Sequence, residues 1–334
     1  MLEILEKYCQ KKEFRSALGI QESAEITLEL FAQGEYNKNY IFQNPDSNEK
    51  YLLRVNTGSQ MHLENQIEYE FQALKLLEES GRTPKAYYVD GSKKELPYGI
   101  LVMEYLPGSV MDYETDIYIG AEILADIHSI SIDKNSSLIH SKNPCREILD
   151  ECDQMFSVYE ASELGDPQKK LQIRNMLNLC KEKTMAMTEY AGYKCCINTE
   201  VNSTNFLINK GEKSYLIDWE KPLYGDPGQD LGHYLAPTTT FWKTDVILSE
   251  AEVDSVLNKY IDFVNERYDV TELKERVAIF IPVTCMRGLT WCAMAWVEYQ
   301  QPDREIRNES TWKKLNAYLE QAFIDMIEMR IRNM

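Results

Sequence analysis

Residues 196–231 read CINTEVNSTNFLINKGEKSYLIDWEKPLYGDPGQDL. Two short apolar runs, 206–208 and 215–217, flank a polar Asn209-Lys210-Gly211 turn, a pattern that predicts a small β-hairpin. Glu200 and Asn205 precede its first strand and Asp218 follows its second. The hairpin therefore carries two carboxylates and one amide oxygen toward the same end. Hard oxygen ligands of this kind suit a magnesium-bound phosphate. A solvated hairpin with ordinary turn residues stays open as the reading of this pattern alone.

The rest of the chain sets the frame. Its 334 residues are too many for one small core and suit two lobes. With 44% hydrophobic and 27% charged residues it is an ordinary globular composition. No apolar run approaches the roughly 20 residues that span a bilayer. The first residues, MLEILEKYCQKKEF, read as an amphipathic charged helix rather than a signal peptide. These features predict a soluble, cytoplasmic protein. A formal net charge of −18 argues against nucleic acid or an anionic membrane surface as partner. The same charge leaves a small-molecule partner open and says nothing about oligomeric state. The eight cysteines show no metal-ligand spacing, so reduced, buried thiols are expected and a zinc site is not.

In chain order, residues 2–12 suggest a short leading helix. Alternation at Ile26, Leu28 and Leu30, then at 40–42 and 51–55, predicts an antiparallel meander of short strands. Residues 63–79 read as a helix with Ile67, Phe71, Leu74 and Leu77 on one face. Strands are expected at 86–89 and 99–105, followed by the helix-breaking Leu106-Pro107-Gly108, where the lobe boundary is placed. Beyond it, helices are expected at 118–129, 144–159, 167–190, 229–235, 249–268, 273–300 (with Pro282 kinking it) and 311–330. Strands with one helix first and helices after give an α+β two-lobed architecture, 1–105 and 106–334, with a ligand cleft between.

This order of parts resembles the aminoglycoside phosphotransferase and choline kinase superfamily, whose members have a protein-kinase-like fold. The resemblance runs from about Glu25 to Trp296. The family's catalytic loop, commonly His-Gly-Asp, four residues, then Asn, falls on Asn198-Thr199-Glu200 and Asn205, with Glu replacing the catalytic Asp. Its following Asp falls on Asp218 in Ile217-Asp218-Trp219-Glu220, and its Gly-Asp-Pro and Asp-Leu pairs on Gly225-Asp226-Pro227 and Asp230-Leu231.

The resemblance implies a small antiparallel-sheet N-lobe, a mainly helical C-lobe, and ATP with Mg²⁺. Asp218 and Asn205 would hold the metal, and Glu200 would take the acceptor hydroxyl's proton. Arg54, in Tyr-Leu-Leu-Arg-Val, fits the phosphate-binding basic residue, with Glu70 as its helix partner. Gly34 marks the phosphate-covering turn through Asn39, and Met103 and Tyr105 bracket the adenine hinge. For the acceptor pocket, Trp291 and Trp296 offer aromatic faces to a cation, and Glu220, Asp230 and His233 are rim candidates. An apolar-core role for both tryptophans stays open. Residues 237–242 are expected to form a loop over the acceptor.

Two functions follow as expectations. One is a kinase for a hydroxyl on a choline-like, sugar or aminoglycoside acceptor, leaning toward a cationic one. The other is a nucleotide-binding module of the same fold without turnover, suggested by the Asn198-Thr199-Glu200 departure.

Overall fold

The structure, a computed structural model, describes residues 1–34, 36–59, 61–187, 189–301 and 308–334. Two short helices lead, α1 (Leu2–Tyr8) and α2 (Lys12–Leu18), where one was expected. Lys11 adopts an extended conformation between them, and Gly19 ends α2 in the left-handed region that glycine enters without strain.

The sheet follows: β1 (Glu29–Gln33), β2 (Asn37–Gln43) and β3 (Lys50–Asn56), then α3 (Gln66–Leu77), then β4 (Ala86–Asp90) and β5 (Gly99–Glu104). The strands pair antiparallel in the order β1-β2-β3-β5-β4. Strand period 2 explains how its two faces are used. On β5, Ile100 and Val102 join a core with Leu5, Phe14 and Leu18 of the leading helices. Leu101 and Met103, one residue out of phase, join the core on the side of α3. The sheet is thus covered on both faces. Arg54 on β3 is out of phase with Leu53 and Val55 and belongs to the α3 side.

The chain leaves the sheet through Leu106-Pro107-Gly108. A Cβ on Gly108 would stand 2.7 Å from the Leu207 Cβ and 3.0 Å from its backbone carbon, so only glycine fits this crossing. The next residues form β6 (Ser109–Val110), which pairs antiparallel with residues 207–208 of the hairpin.

Helices then dominate: α4 (Tyr113–His128), α5 (Pro144–Ala161) and α6 (Pro167–Thr184). Asp112, Asn143 and Asp166 cap their N-termini, each accepting a backbone N–H, and proline opens α5 and α6. A short β7 (Cys195–Ile197) leads to the hairpin β8 (Phe206–Ile208) and β9 (Tyr215–Leu216); β10 (Leu223–Gly225) returns to pair with β7.

The chain ends in α7 (Pro227–Leu235), α8 (Pro237–Lys243), α9 (Glu250–Val264), α10 (Leu273–Glu298), α11 (Glu309–Tyr318) and α12 (Gln321–Arg332). Two expectations change here. Residues 237–242 form a helix rather than a loop, with Pro237 at its first position. The single helix expected over 311–330 is two, because Glu320 is extended and turns the chain so that the Tyr318 and Phe323 rings meet at 4.7 Å. Pro282 lies inside α10 without ending it. By length and composition α10 would cross a membrane, yet 67% of its most apolar window is buried, as the central helix against α5 and α7.

Candidate active site

The hairpin is built as its turn chemistry dictates, and its base is the centre of the site. Ile217 donates its backbone N–H to the Asn205 carbonyl at 2.8 Å, holding the two metal-ligand candidates at the same end. Asp218 takes a positive φ of 66°, a conformation aspartate tolerates better than most residues. Its carbonyl accepts from Asn198 Nδ2 at 2.9 Å. Asn205 donates from Nδ2 to the Glu200 carbonyl at 2.8 Å, which leaves its side-chain oxygen as the end able to ligate a cation.

The loop that carries Glu200 is held from below by Asp230. This carboxylate is fully buried and accepts from the Asn198 and Thr199 backbone N–H groups at 2.7 Å each. His128 Nε2 lies 3.2 Å from it, and His128 Nδ1 meets Tyr260 Oη at 2.7 Å. Asp230, expected at the acceptor rim, therefore lies beneath the loop. Its position on the buried face of α7 and its two bonds to loop amides explain the difference.

From the other half of the molecule, Arg54 reaches the same place. Its Nη1 lies 2.5 Å from Glu70 Oε1, and 3.5 Å from both Asp218 Oδ1 and Glu220 Oε1. Asn39, its partner across the β2–β3 ladder, accepts from Nε at 3.1 Å. Glu70 occupies a buried position of α3, on the stripe formed by Ile67, Leu74 and Leu77, because that stripe faces Arg54. Burial works against the Arg54 charge, but Glu70, Asp218 and Glu220 outweigh it and hold the guanidinium above its ordinary pKa. Burial raises the Glu70 carboxyl, with Arg54 opposing.

Three carboxylates against one guanidinium leave negative charge uncompensated. Burial, then Asp218, push Glu220 up to about 8. Glu220 also accepts from Asn37 Nδ2. It thus sits with Arg54 and Asp218 rather than in the acceptor pocket: two residues past Asp218, it turns back toward the sheet. Among the described residues, no three His, Cys, Asp or Glu side chains form a metal cage. One carboxylate, one amide oxygen and excess negative charge instead suit Mg²⁺, which keeps several ligands from water and phosphate.

The turn expected to cover the phosphates ends earlier than Asn39. Gly34 N–H donates to Asn37 O at 2.8 Å and β2 already begins at Asn37; Glu35, part of the expected turn, lies outside the described residues. Met103 sits inside the sheet, opposite Leu52 on one side and Ala86 on the other, so it is ladder backbone rather than free hinge. Tyr105 follows the strand; its N–H donates to Lys50 O at 3.2 Å and its ring meets Phe31 edge-on.

Glu200 faces a different space, a cavity of about 550 Å³ in the helical half. His233, Thr238, Thr239, Trp242, Arg287 and Trp291 are among the residues lining it. Lys221 Nζ bonds Glu200 Oε1 at 2.7 Å, and Arg287 Nη2 lies 3.6 Å from the same oxygen. Burial raises the Glu200 carboxyl, but Lys221 and then Arg287 outweigh it and leave the group below its ordinary value. Neither cation was singled out from sequence. Lys221 is 21 residues from Glu200, and the signal that would have found it is the lysine directly after Asp218-Trp219-Glu220.

Trp291 is 40% exposed at the cavity, with Trp242 edge-on at 5.3 Å. Trp296 is elsewhere. Five residues along a helix rotate it by about 140° from Trp291, and it packs on Tyr159 and Trp312 while donating to Asn316.

Removing the Lys221 cation should let Glu200 titrate at higher pH. Lys221→Met is expected to move the acid limb of the pH–rate profile upward and lower kcat at neutral pH, while Lys221→Arg stays near wild type. A profile unmoved in Lys221→Met would break the link between the two side chains.

Comparison with known proteins agrees with this layout. The sequence model described as the phosphotransferase enzyme family matches residues 27–268. No curated protein matches significantly. Among solved structures, a choline kinase from Cryptosporidium parvum superposes with a TM-score of 0.65 at 13% identity, covering 98% of this chain and 97% of that one. A spectinomycin phosphotransferase, solved with ADP and spectinomycin, gives 0.64 at 13% identity, covering 100% and 99%. An ethanolamine kinase from Plasmodium vivax gives 0.60 at 14%, covering 95% and 89%. At these identities the likeness is one of fold, a sheet lobe joined to a helical one.

Proposed function

Because the chain belongs to the phosphotransferase enzyme family, we propose that it transfers the γ-phosphoryl group of ATP to a hydroxyl of a small metabolite. One observation carries this reading: Arg54 of the sheet half reaches within 3.5 Å of Asp218 at the hairpin base. A triphosphate in the crevice would meet a phosphate-binding cation and a metal-ligand pair together. ADP and ATP complexes among the structures of similar fold support the choice of nucleotide.

The roles follow from charge and reach. Arg54, fixed by Glu70 and Asn39, offers its fork to the α- and β-phosphate oxygens. Asn205 and Asp218 would hold Mg²⁺, which when bound neutralises charge on the β- and γ-phosphates. The acceptor hydroxyl, in the cavity beside Glu200, attacks the γ-phosphorus. The bond to the ADP oxygen breaks, and the hydroxyl proton passes to the Glu200 carboxylate. Lys221 and Arg287 hold that carboxylate ionised and aimed, taking up the freedom of a side chain one methylene longer than Asp. The cytoplasm is the proposed compartment, since all eight cysteines are buried and unpaired.

A nucleotide-binding module without turnover is the second reading. It is favoured by the same ion pairs, which weaken Glu200 as a base. Incubation with Mg²⁺-ATP and a panel of hydroxylated metabolites separates the two. Acceptor-dependent ADP release supports the kinase; nucleotide-induced thermal stabilisation with no turnover supports the module.

Arg54→Ala is expected to raise the apparent KM for ATP roughly 10- to 100-fold, the loss of a charge-assisted bond of about 1.5–3 kcal/mol. The acceptor KM should stay put, and a melting scan separates this from any loss of fold. A change confined to the acceptor KM would move Arg54 out of the nucleotide site.

A further inference from the structure

We infer that the acceptor is an anionic hydroxy compound, carrying a carboxylate or phosphate beside the hydroxyl it presents, and that Lys243 receives the anion. The inference rests on the kinase reading and assigns the substrate class of the same cavity.

Charge is the first ground. The chain as a whole is strongly acidic, at −18. The cavity wall reverses this: the acids lining it are Glu151 and Glu200, the bases Lys221, Lys243 and Arg287. Both acids are already matched. Arg287 Nε bonds Glu151 at 3.0 Å and its Nη2 approaches Glu200, which Lys221 also holds. Lys243 is the base left over. It is exposed at the end of α8, and among the described residues it contacts no carboxylate; its ammonium lies over the Trp242 ring at 5.6 Å. His233 adds no charge to the wall, since burial, with Arg287 nearby, lowers its pKa to about 4.

The aromatic geometry is the second, independent ground. A cage for an ammonium group needs open ring faces turned toward one point. Here Trp242 and Trp291 meet at 89°, edge against face, and Lys243 already stands over Trp242. A cationic acceptor would have to displace that lysine and face two further cations with no unmatched carboxylate in return. An anionic group at the lip meets Lys243 directly. Thr239, also on the wall, adds a hydroxyl suited to a polar ligand, and His233 Nδ1 is without a partner among the described residues.

The test uses the full chain with Mg²⁺-ATP and three matched sets. The first is glycerate and ribose 5-phosphate, the second glycerol and ribose, the third choline, ethanolamine and kanamycin. An anionic compound is expected to give at least tenfold higher kcat/KM for ADP release than its uncharged counterpart, with glycerate against ribose 5-phosphate deciding between the two anions. Lys243→Glu should lower that ratio at least tenfold through the acceptor KM, with kcat moving much less.

A cationic or uncharged acceptor preferred over the anionic set overturns the assignment, as does a ratio unchanged in Lys243→Glu. So does the absence of both turnover and calorimetric binding for every anionic compound while Mg²⁺-ATP binds; the kinase reading would survive these outcomes. Failure to bind Mg²⁺-ATP would remove that reading and this one together.

Discussion

Asp218→Asn is expected to lower phosphoryl transfer by about 10³-fold or more, some 4 kcal/mol of lost charge neutralisation at the transferring phosphate. The substitution isolates the charge. Asparagine is nearly the same size and tolerates the positive φ of 66° that this position requires. The carbonyl that accepts from Asn198 is backbone and remains. What disappears is one of the carboxylates crowded around Arg54, the one at the hairpin base beside Asn205. Nucleotide affinity should therefore lose most of its dependence on Mg²⁺, and calorimetry with and without the ion reads that directly. Activity and metal dependence both unchanged would take Asp218 out of the metal site.

Glu200→Gln should cut acceptor-dependent turnover by roughly 10²- to 10⁴-fold, the range a positioned general base supplies, while Mg²⁺-ATP still binds. The amide keeps a hydrogen-bond acceptor in reach of Lys221 but cannot take the hydroxyl proton. Glu200→Asp is the more revealing companion. It restores the residue type usual in the family's frame, yet withdraws the carboxylate from Lys221 and Arg287 by about one bond length. Those cations are placed for glutamate, so the aspartate variant is expected to be impaired too. Wild-type turnover in Glu200→Gln would show that proton transfer does not pass through this side chain.

How much of this was legible in the sequence depends on range. The hairpin was readable because its turn and both strands lie within a dozen residues, and the pairing of Arg54 with Glu70, implied by the resemblance, is the one the structure forms. Phase was harder. Trp291 and Trp296 look alike in sequence, and only the helix rotation between them decides which sees the cavity. Charges that meet across the fold were not readable at all. Glu200 with Lys221 and Arg287, or Asp230 beneath the loop, depends on how α7 and α10 stack against the hairpin. Local propensity carries no record of such stacking. The two-residue β6 was missed for the same reason, since its partner strand lies about a hundred residues further on.

That small strand has a mechanical consequence. Directly after the glycine crossing, the connector is stitched to the strand that begins beside Asn205, and Met111 N–H donates to Ser203 O at 3.3 Å just behind it. On the far side, Gln66 and Tyr69 of α3 donate to the carbonyls of Glu220 and Pro222. The stretch from Ser203 to Pro222, which carries both proposed ligand positions, is thus tethered at its ends to the connector and to α3, so a swing of one half against the other would move those positions. With Mg²⁺ held there as proposed, opening angle and ion occupancy would form a single equilibrium, and a pair of fluorophores spanning the crevice would report added magnesium.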